Sequence, residues 1–187
     1  MQIPDDVTRD SGKTRRAPAI MAELLERYDG GVVELDWTTP FELLIATILS
    51  AQSTDKKVNE VTAELFVKYP NPAAYLDIAE TELQAAIYQT GFYRQKTGAI
   101  RGVCAALLEL FGGEVPETMA ELLALPGVAR KTANVVQSAA FPEVHATDPN
   151  AGVAVDTHVK RLARRFRFTR NDDPVKIERD LMRLLPR

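Results

Sequence analysis

The chain contains 187 residues, of which 45% are hydrophobic and 26% are charged, and its formal net charge is −3. This balance is typical of a folded globular protein with one domain or two small ones. No apolar run approaches the ~18 residues of a membrane span, and the first residues lack the basic-then-apolar order of a secretory signal. The composition therefore excludes a membrane-spanning protein, and we expect a cytoplasmic protein of bacterial type.

Hydrophobic spacing predicts helices along most of the chain, and the period-2 alternation of strands is nearly absent. The polar residues 1–14 have no apolar period, which predicts a disordered lead. In chain order, helices are predicted over residues 17–28, 40–48, 55–69, 72–79, 80–90, 94–111, 117–124, 128–136, 157–166 and 174–185, and residues 141–152 are predicted to form a loop. The predicted fold class is all-α.

A very short turn separates the helix that ends near Leu125 from the next one. Pro126 cannot continue a helix and Gly127 tolerates positive φ, so the backbone can reverse within two residues. The N–H groups of Gly127, Val128 and Ala129 are then expected to be unpaired at the start of the second helix. Such groups, together with the helix dipole, bind phosphate oxygens. The alternative is an ordinary helical hairpin without a ligand.

Lys131 follows Arg130 in the first turn of that second helix. Cations are better placed at the other end of a helix, so Lys131 either points into water or has a use at this position. The positive potential of the helix start and of Arg130 favours the neutral amine, which is the form that can attack carbon. Lys131 is therefore a candidate nucleophile.

A basic segment follows Asp156. Residues 121–170 contain 8 Lys and Arg but 4 Asp and Glu, whereas residues 1–120 contain 11 and 18. The basic half thus carries the candidate site, although the net charge of the chain is negative. Its cations are concentrated in one short segment: Lys160, Arg161, Arg164, Arg165, Arg167 and Arg170. They form either a solvated helix face or a set of phosphate contacts, and the nearby Asp156 favours phosphate contacts.

The hairpin stretch from Leu125 to Val136 resembles the helix-hairpin-helix of the endonuclease III family of DNA glycosylases. The segment Val155-Asp156-Thr157-His158-Val159 is similar to the aspartate-bearing segment of the same family. Further matches, in the same order, occur at Pro40–Ala46, Leu49–Asp55, Gly91–Tyr93 and Gly113–Pro116, and together the motifs span roughly residues 20–186. Several motifs in register are far more specific than any one of them.

The resemblance implies a two-lobed helix-hairpin-helix DNA glycosylase fold. One lobe of six helices would span residues 32–143 and contain the hairpin. The second would combine residues 15–31 with 144–187, so both termini would build it and it would be incomplete at the C-terminus. Lys131 would belong to the first lobe and Asp156 to the second, with both facing a cleft that receives a flipped-out nucleotide.

The resemblance also implies catalytic roles for Lys131 and Asp156. Lys131 would attack C1′ of the sugar and form a Schiff base. Asp156 would offset the positive charge that develops on the sugar and would help to move protons. The alternative for Asp156 is a plain helix N-cap, and the two roles are compatible. Related adenine glycosylases lack the hairpin lysine, so Lys131 favours an enzyme that is both a glycosylase and a lyase.

Gln52 and Phe92 match, by position, the family residues that fill the gap left by a flipped nucleotide. The alternatives are that Phe92 lies in the core and that Gln52 only caps the turn at Ser53. Ala129 stands where the hairpin usually has a second glycine, and its methyl group is expected to weaken phosphate binding modestly. The predicted DNA-binding residues are Gln52, Phe92, Gly127, Val128, Ala129, Arg130 and Thr132.

The resemblance implies a bifunctional DNA glycosylase and AP lyase of base excision repair that removes oxidised pyrimidines. Its partner would be damaged double-stranded DNA, bound by a monomer that associates with the nucleoid through DNA. The alternative is a helix-hairpin-helix DNA-binding module with little or no turnover. A helical protein-interaction scaffold is a third hypothesis, but it leaves the pairing of Lys131 with Asp156 unexplained.

The one cysteine of the chain, Cys104, lies in an apolar helix pattern and is predicted to be a buried small hydrophobe. The family resemblance implies a [4Fe-4S] cluster held by four cysteines near the C-terminus. This chain encodes no such ligand set and no other metal site. The cluster is expected only if a longer parent chain supplies the four cysteines.

Overall fold

The computed structural model describes residues 11–28 and 33–185. Within these ranges the regular elements are eleven α-helices and one 3-10 turn, with no strand, so the all-α prediction is confirmed. None of these helices is long and apolar enough to cross a membrane. Contacts divide the chain into two compact units: unit 1 is Met1–Val32 with Gly152–Arg187, and unit 2 is Val33–Ala151.

Unit 2 contains the candidate hairpin. Its described helices are α2 (Pro40–Ser50), α3 (Asp55–Lys68), α4 (Pro72–Asp77), α5 (Glu80–Ile87), a 3-10 turn (Tyr88–Thr90), α6 (Tyr93–Phe111), α7 (Met119–Ala124), α8 (Arg130–Ala140) and α9 (Pro142–Thr147). Seven of these eight α-helices lie where hydrophobic spacing predicts a helix, and α9 is the addition. The six-helix lobe that the resemblance implies stays a prediction.

The central helix of unit 2 is α2, which packs against α3, α6 and α8. Thr39 caps its N-terminus: the Thr39 hydroxyl accepts the Glu42 N–H at 3.2 Å, and the Glu42 carboxylate accepts the Thr39 N–H at 3.3 Å. Pro40 fills the first helical position, where its missing N–H costs nothing. Eight of the eleven α2 residues are buried, as expected of an apolar helix surrounded by others. This helix therefore positions both α6 and α8.

Residues 142–147 form α9, so the predicted loop over residues 141–152 is wrong in this part. Asp148 fixes the end of α9: Oδ2 accepts the N–H of Met119 and an Nε2–H of Gln137, both at 2.8 Å, and Oδ1 accepts the N–H of Asn150 at 2.8 Å. These partners lie on α7, on α8 and in the following turn. Tertiary contacts of this kind hold the segment to unit 2, which extends to Ala151.

We predict that Asp148→Ala lowers the free energy of unfolding by about 1–3 kcal/mol at pH 7, because buried donors lose their acceptor. The hydrogen bond from the Met119 N–H is the main cause that lowers the pKa of Asp148 below its ordinary value. A lowered pKa in the folded state stabilises the fold above the unfolded pKa of about 4 and does so progressively less as pH falls through the folded pKa. Urea unfolding should therefore show a wild-type advantage at pH 7 that shrinks below about pH 4.

The matched control for this prediction is Glu143→Ala, which removes an exposed carboxylate from the same helix, α9. It should change stability by less than about 0.5 kcal/mol at either pH. A difference between wild type and Asp148→Ala that stays constant from pH 7 to pH 3 would contradict the assignment.

Unit 1 contains α1 (Lys13–Arg27), α10 (Thr157–Arg165) and α11 (Pro174–Met182). Residues 1–10 of the predicted disordered lead lie outside the described residues. Residues 13 and 14 begin α1, so the prediction of a disordered lead is wrong at these two residues. The core of unit 1 is small and consists, among the described residues, of Ala17, Val155, Ala163, Phe168, Ile177 and Leu181.

Candidate functional site

The hairpin between α7 and α8 has the geometry that its sequence predicts, with one exception. Gly127 has a φ of +77°, so the backbone conformation favours glycine, and a Cβ there would only contact the Ala99 Cβ on α6 at 3.4 Å. The exception is Val128, whose N–H donates to the Leu125 carbonyl at 3.2 Å and whose side chain is buried in the core. The prediction that the Val128 N–H is unpaired is therefore wrong.

The N-terminus of α8 is open to a ligand. Ala129 is the N-cap residue and provides no side-chain cap. The N–H groups of Gly127, Ala129, Lys131 and Thr132 make no hydrogen bond with the described part of the chain. Donors aligned in this way at a helix start form an anion site. Ala129 has a φ of −82°, which any residue adopts, so the absence of a second glycine causes no backbone strain.

Lys131 is the second residue of α8, and its side chain is exposed. The neighbouring Arg130 points back into unit 2, where its Nη2 donates to the Asn150 carbonyl at 2.7 Å. The two adjacent cations thus have different surroundings: Arg130 braces the turn after α9, whereas Lys131 lies at the surface beside the open helix start. This placement is compatible with a nucleophile, and the role of Lys131 stays a prediction.

Two turns of unit 2 carry non-glycine residues in the left-handed region of backbone space. Gln52, between α2 and α3, has a φ of +54°, and Phe92, immediately before α6, has a φ of +49°. Such conformations are uncommon outside glycine and often occur at functional sites. The Phe92 side chain is 55% exposed, which excludes the core alternative. The Gln52 side chain makes no hydrogen bond with the described residues, so it does not cap the turn.

A cavity of about 290 Å³ brings these turns and the hairpin together within unit 2. Its lining includes Gln52 and Phe92 from the two turns and Gly127, Ala129 and Thr132 from the hairpin. The other lining residues come from α2, its C-cap and α6: Thr47, Ile48, Ala51, Gln95, Lys96 and Ala99. Five of the seven predicted DNA-binding residues therefore surround one cavity. Val128 and Arg130 are the two that do not.

Lys96 lines this cavity and was not among the predicted site residues. It is 4% exposed, on the buried face of α6 one turn before Ile100 and two turns before Val103. Its Nζ donates to the backbone carbonyls of Leu49 and Thr90, each at 2.7 Å. A lysine in register with an apolar helix stripe is the sequence signal that could have identified it.

In unit 1, Asp156 is the N-cap residue of α10, and its Oδ1 accepts the Val159 N–H at 2.7 Å. The N-cap alternative is thus confirmed as one of its roles, and Oδ2 of this half-buried carboxylate accepts no hydrogen bond from the described residues. The basic face of α10 is less positive than its sequence suggests. Asp172 pairs with both Lys160 and Arg164, so only part of the predicted phosphate-binding charge is free for a ligand.

The residues of this chain do not fit a four-thiolate cluster. The one cysteine, Cys104, is buried in α6 within the core of unit 2, and burial raises the pKa of its thiol to about 12. A group that remains a protonated thiol packs as a small hydrophobe, as predicted. The described residues contain no cluster of three or more His, Cys, Asp or Glu side chains that could hold a metal ion.

The open hairpin and its surroundings define a known class of protein. Residues 45–187 match the HhH-GPD superfamily of base excision DNA repair proteins, and the chain belongs to this superfamily. Individual relatives of the chain carry a narrower name than the superfamily does. It is 51% identical over 178 residues to Endonuclease III of Synechocystis sp., an alignment that covers 94% of this chain and 78% of the relative. It is 41% identical to Endonuclease III of Escherichia coli K12, with 89% and 76% covered. The resemblance stated from the motifs is confirmed.

Solved structures give the same result for the fold. The chain matches a trapped covalent intermediate of endonuclease III with DNA at a TM-score of 0.85 and 41% identity, over 92% of this chain and 78% of that one. A thermostable thymine-DNA glycosylase matches at a TM-score of 0.72 with 20% identity, which supports the fold alone.

Proposed function

We propose that this protein is a DNA glycosylase with AP lyase activity that removes oxidised pyrimidines from damaged duplex DNA as a monomer. The observation that carries the proposal is the exposed Lys131 at the second position of α8, beside an uncapped helix start. It is supported by 51% identity to an Endonuclease III and by the match to a trapped endonuclease III–DNA covalent intermediate.

The hairpin would bind the DNA backbone. The unpaired N–H groups of Gly127, Ala129, Lys131 and Thr132 point out of the helix start, where the dipole of α8 favours a phosphate. Backbone donors recognise phosphate without reading the base, so this contact would give affinity and register independent of sequence. The cations of α10 that Asp172 leaves free, Arg161 and Arg165, would add further phosphate contacts.

Lys131 would supply the nucleophile. Its neutral amine attacks C1′, and the bond between C1′ and the damaged base breaks, so that the electron pair leaves with the base. The nitrogen then loses a proton, and its electron pair forms the C1′–N double bond as the bond between C1′ and O4′ breaks. O4′ and the released base each take up a proton, which leaves a protonated Schiff base on the opened sugar. Loss of a proton from C2′ and departure of the 3′ phosphate complete β-elimination and cut the strand.

Asp156 would act on the same sugar through charge. A carboxylate near C1′ stabilises the oxocarbenium-like charge that appears as the base leaves, and it can carry a proton. The N-cap bond to Val159 holds the Asp156 side chain in one orientation, which suits a preorganised electrostatic role.

Gln52 and Phe92 would fill the gap left by the flipped nucleotide. Both side chains are exposed on turns that line the same cavity as the hairpin. Phe92 would act as an apolar wedge between bases, and Gln52 would offer hydrogen-bond groups to the base left without a partner.

The proposal is tested with a duplex that contains one thymine glycol and a matched undamaged duplex. We expect release of the damaged base together with a nick that carries a β-elimination end, and neither product from the undamaged duplex. Duplex binding that weakens steeply with salt, but no nicking at any enzyme concentration, would instead identify a DNA-binding module.

A further inference from the structure

The buried ammonium of Lys96 joins two turns that are distant in sequence. Nζ donates at 2.7 Å to the carbonyl of Leu49, in the last turn of α2, and at 2.7 Å to the carbonyl of Thr90, which ends the 3-10 turn. Both carbonyls belong to helix ends, where backbone acceptors lack an intrahelical partner and where a cation is favoured. One side chain therefore donates hydrogen bonds to carbonyls at the ends of two helical segments.

Each of these carbonyls directly precedes a turn with an exposed left-handed residue. Leu49 lies three residues before Gln52, and Thr90 lies two residues before Phe92. Left-handed backbone in a bulky residue persists only where the surroundings hold it. Lys96 is the side chain that contacts the backbone leading into both turns, and it lines the cavity with Gln52 and Phe92.

Packing alone does not account for a lysine at this position. Lys96 occupies an apolar stripe with Ile100 and Val103, and it is 4% exposed. A charge removed from water is costly unless hydrogen bonds compensate it, and burial lowers the pKa of Lys96. A methionine of similar length would fill the same space without that cost. The ammonium is therefore needed for its hydrogen bonds to the two turns.

We propose that Lys96 is a positioning residue that holds the Gln52 and Phe92 turns in one arrangement, so that both side chains enter the duplex together. This inference rests on the proposed function of the chain. Lys96 itself touches neither the sugar nor the lesion in this account. It acts only through the two turns. Its loss should therefore impair the entry of Gln52 and Phe92 into the duplex and spare the chemistry at the sugar.

The experiment compares wild type with Lys96→Met on one abasic strand, presented either alone or in a duplex with 2-aminopurine opposite the abasic site. The fluorescence of 2-aminopurine rises when the base is unstacked, and this readout needs no turnover. In Lys96→Met we expect the rise to be lost at saturating protein. Nicking of the duplex should fall roughly 10- to 100-fold, as expected for a small misplacement, while nicking of the single strand stays within about twofold.

Two further variants separate positioning from stability. Val103→Ala removes buried methyl groups from the same helix without touching either turn, and it should lower the melting temperature but keep the fluorescence rise and the duplex preference. Lys96→Gln keeps amide donors on a shorter side chain and should recover part of the rise. If Lys96→Met does not fold, Lys96→Gln is compared with wild type in the same fluorescence and nicking measurements.

The inference is overturned if Lys96→Met keeps the wild-type fluorescence rise and duplex nicking. It is equally overturned if Lys96→Met and Val103→Ala lose nicking of both substrates in parallel, because loss of stability would then explain the result. Failure of the proposed function is a distinct outcome, in which wild type nicks neither substrate. The fluorescence comparison still tests Lys96 in that case.

Discussion

Lys131→Gln is expected to slow strand cleavage at an abasic site by at least about 10³-fold, the order of loss seen when an enzyme nucleophile is removed. Glutamine keeps a flexible polar side chain at an exposed position and is a good helix former, so α8 should form as before. Its amide cannot form a Schiff base. Single-turnover cleavage of an abasic duplex, followed by gel analysis of the β-elimination product, measures the effect.

The matched control is Lys68→Gln, because Lys68 is an exposed lysine on α3 that pairs with Glu82 and lines none of the proposed site. It should cleave at the wild-type rate. Duplex affinity should also be nearly unchanged in Lys131→Gln, since the phosphate contacts come from backbone N–H groups. Cleavage by Lys131→Gln within about tenfold of wild type would remove Lys131 from the mechanism.

Asp156→Asn is expected to slow release of thymine glycol by about 10²- to 10⁴-fold, because it removes the charge that would stabilise the sugar in the transition state. Asparagine caps helices as well as aspartate does, so the bond to the Val159 N–H and the start of α10 should persist. Base release under single-turnover conditions measures the chemical effect, and thermal unfolding should show little change.

A second aspartate gives a closely matched control. Asp173 caps α11 with the same geometry, its Oδ1 accepting the Lys176 N–H at 2.9 Å, and no proposed role depends on its charge. Asp173→Asn should leave both base release and stability near wild type. If Asp156→Asn and Asp173→Asn have equal activities, then Asp156 is an N-cap and nothing more.

Local sequence rules predicted the elements whose ends are set by neighbouring residues. Thr39 and Pro40 start α2 through a capping box and a proline at the first helical position, both readable from a few residues. Pro126 and Gly127 likewise determine the hairpin, because the turn requires positive φ at Gly127. The left-handed Gln52 and Phe92 show no such local signal, since neither residue prefers that region.

The features that the sequence did not predict depend on partners far along the chain. The end of α9 is fixed by Asp148 through Met119 and Gln137, which belong to other helices. Lys96 finds its acceptor Leu49 on another helix, and an apolar stripe gives no indication of which carbonyls a buried ammonium will meet. Asp172 neutralises two cations of α10 only because the chain folds back after that helix.

The central claim is that Lys131 forms a covalent bond to the sugar, and borohydride trapping tests it most directly. Borohydride reduces a Schiff base to a stable amine, so an abasic duplex incubated with the protein should yield a cross-linked species. Proteolysis and mass spectrometry of that species should place the DNA remnant on Lys131, and Lys131→Gln should give none. A cross-link on another residue, or trapping that persists in Lys131→Gln, would contradict this account.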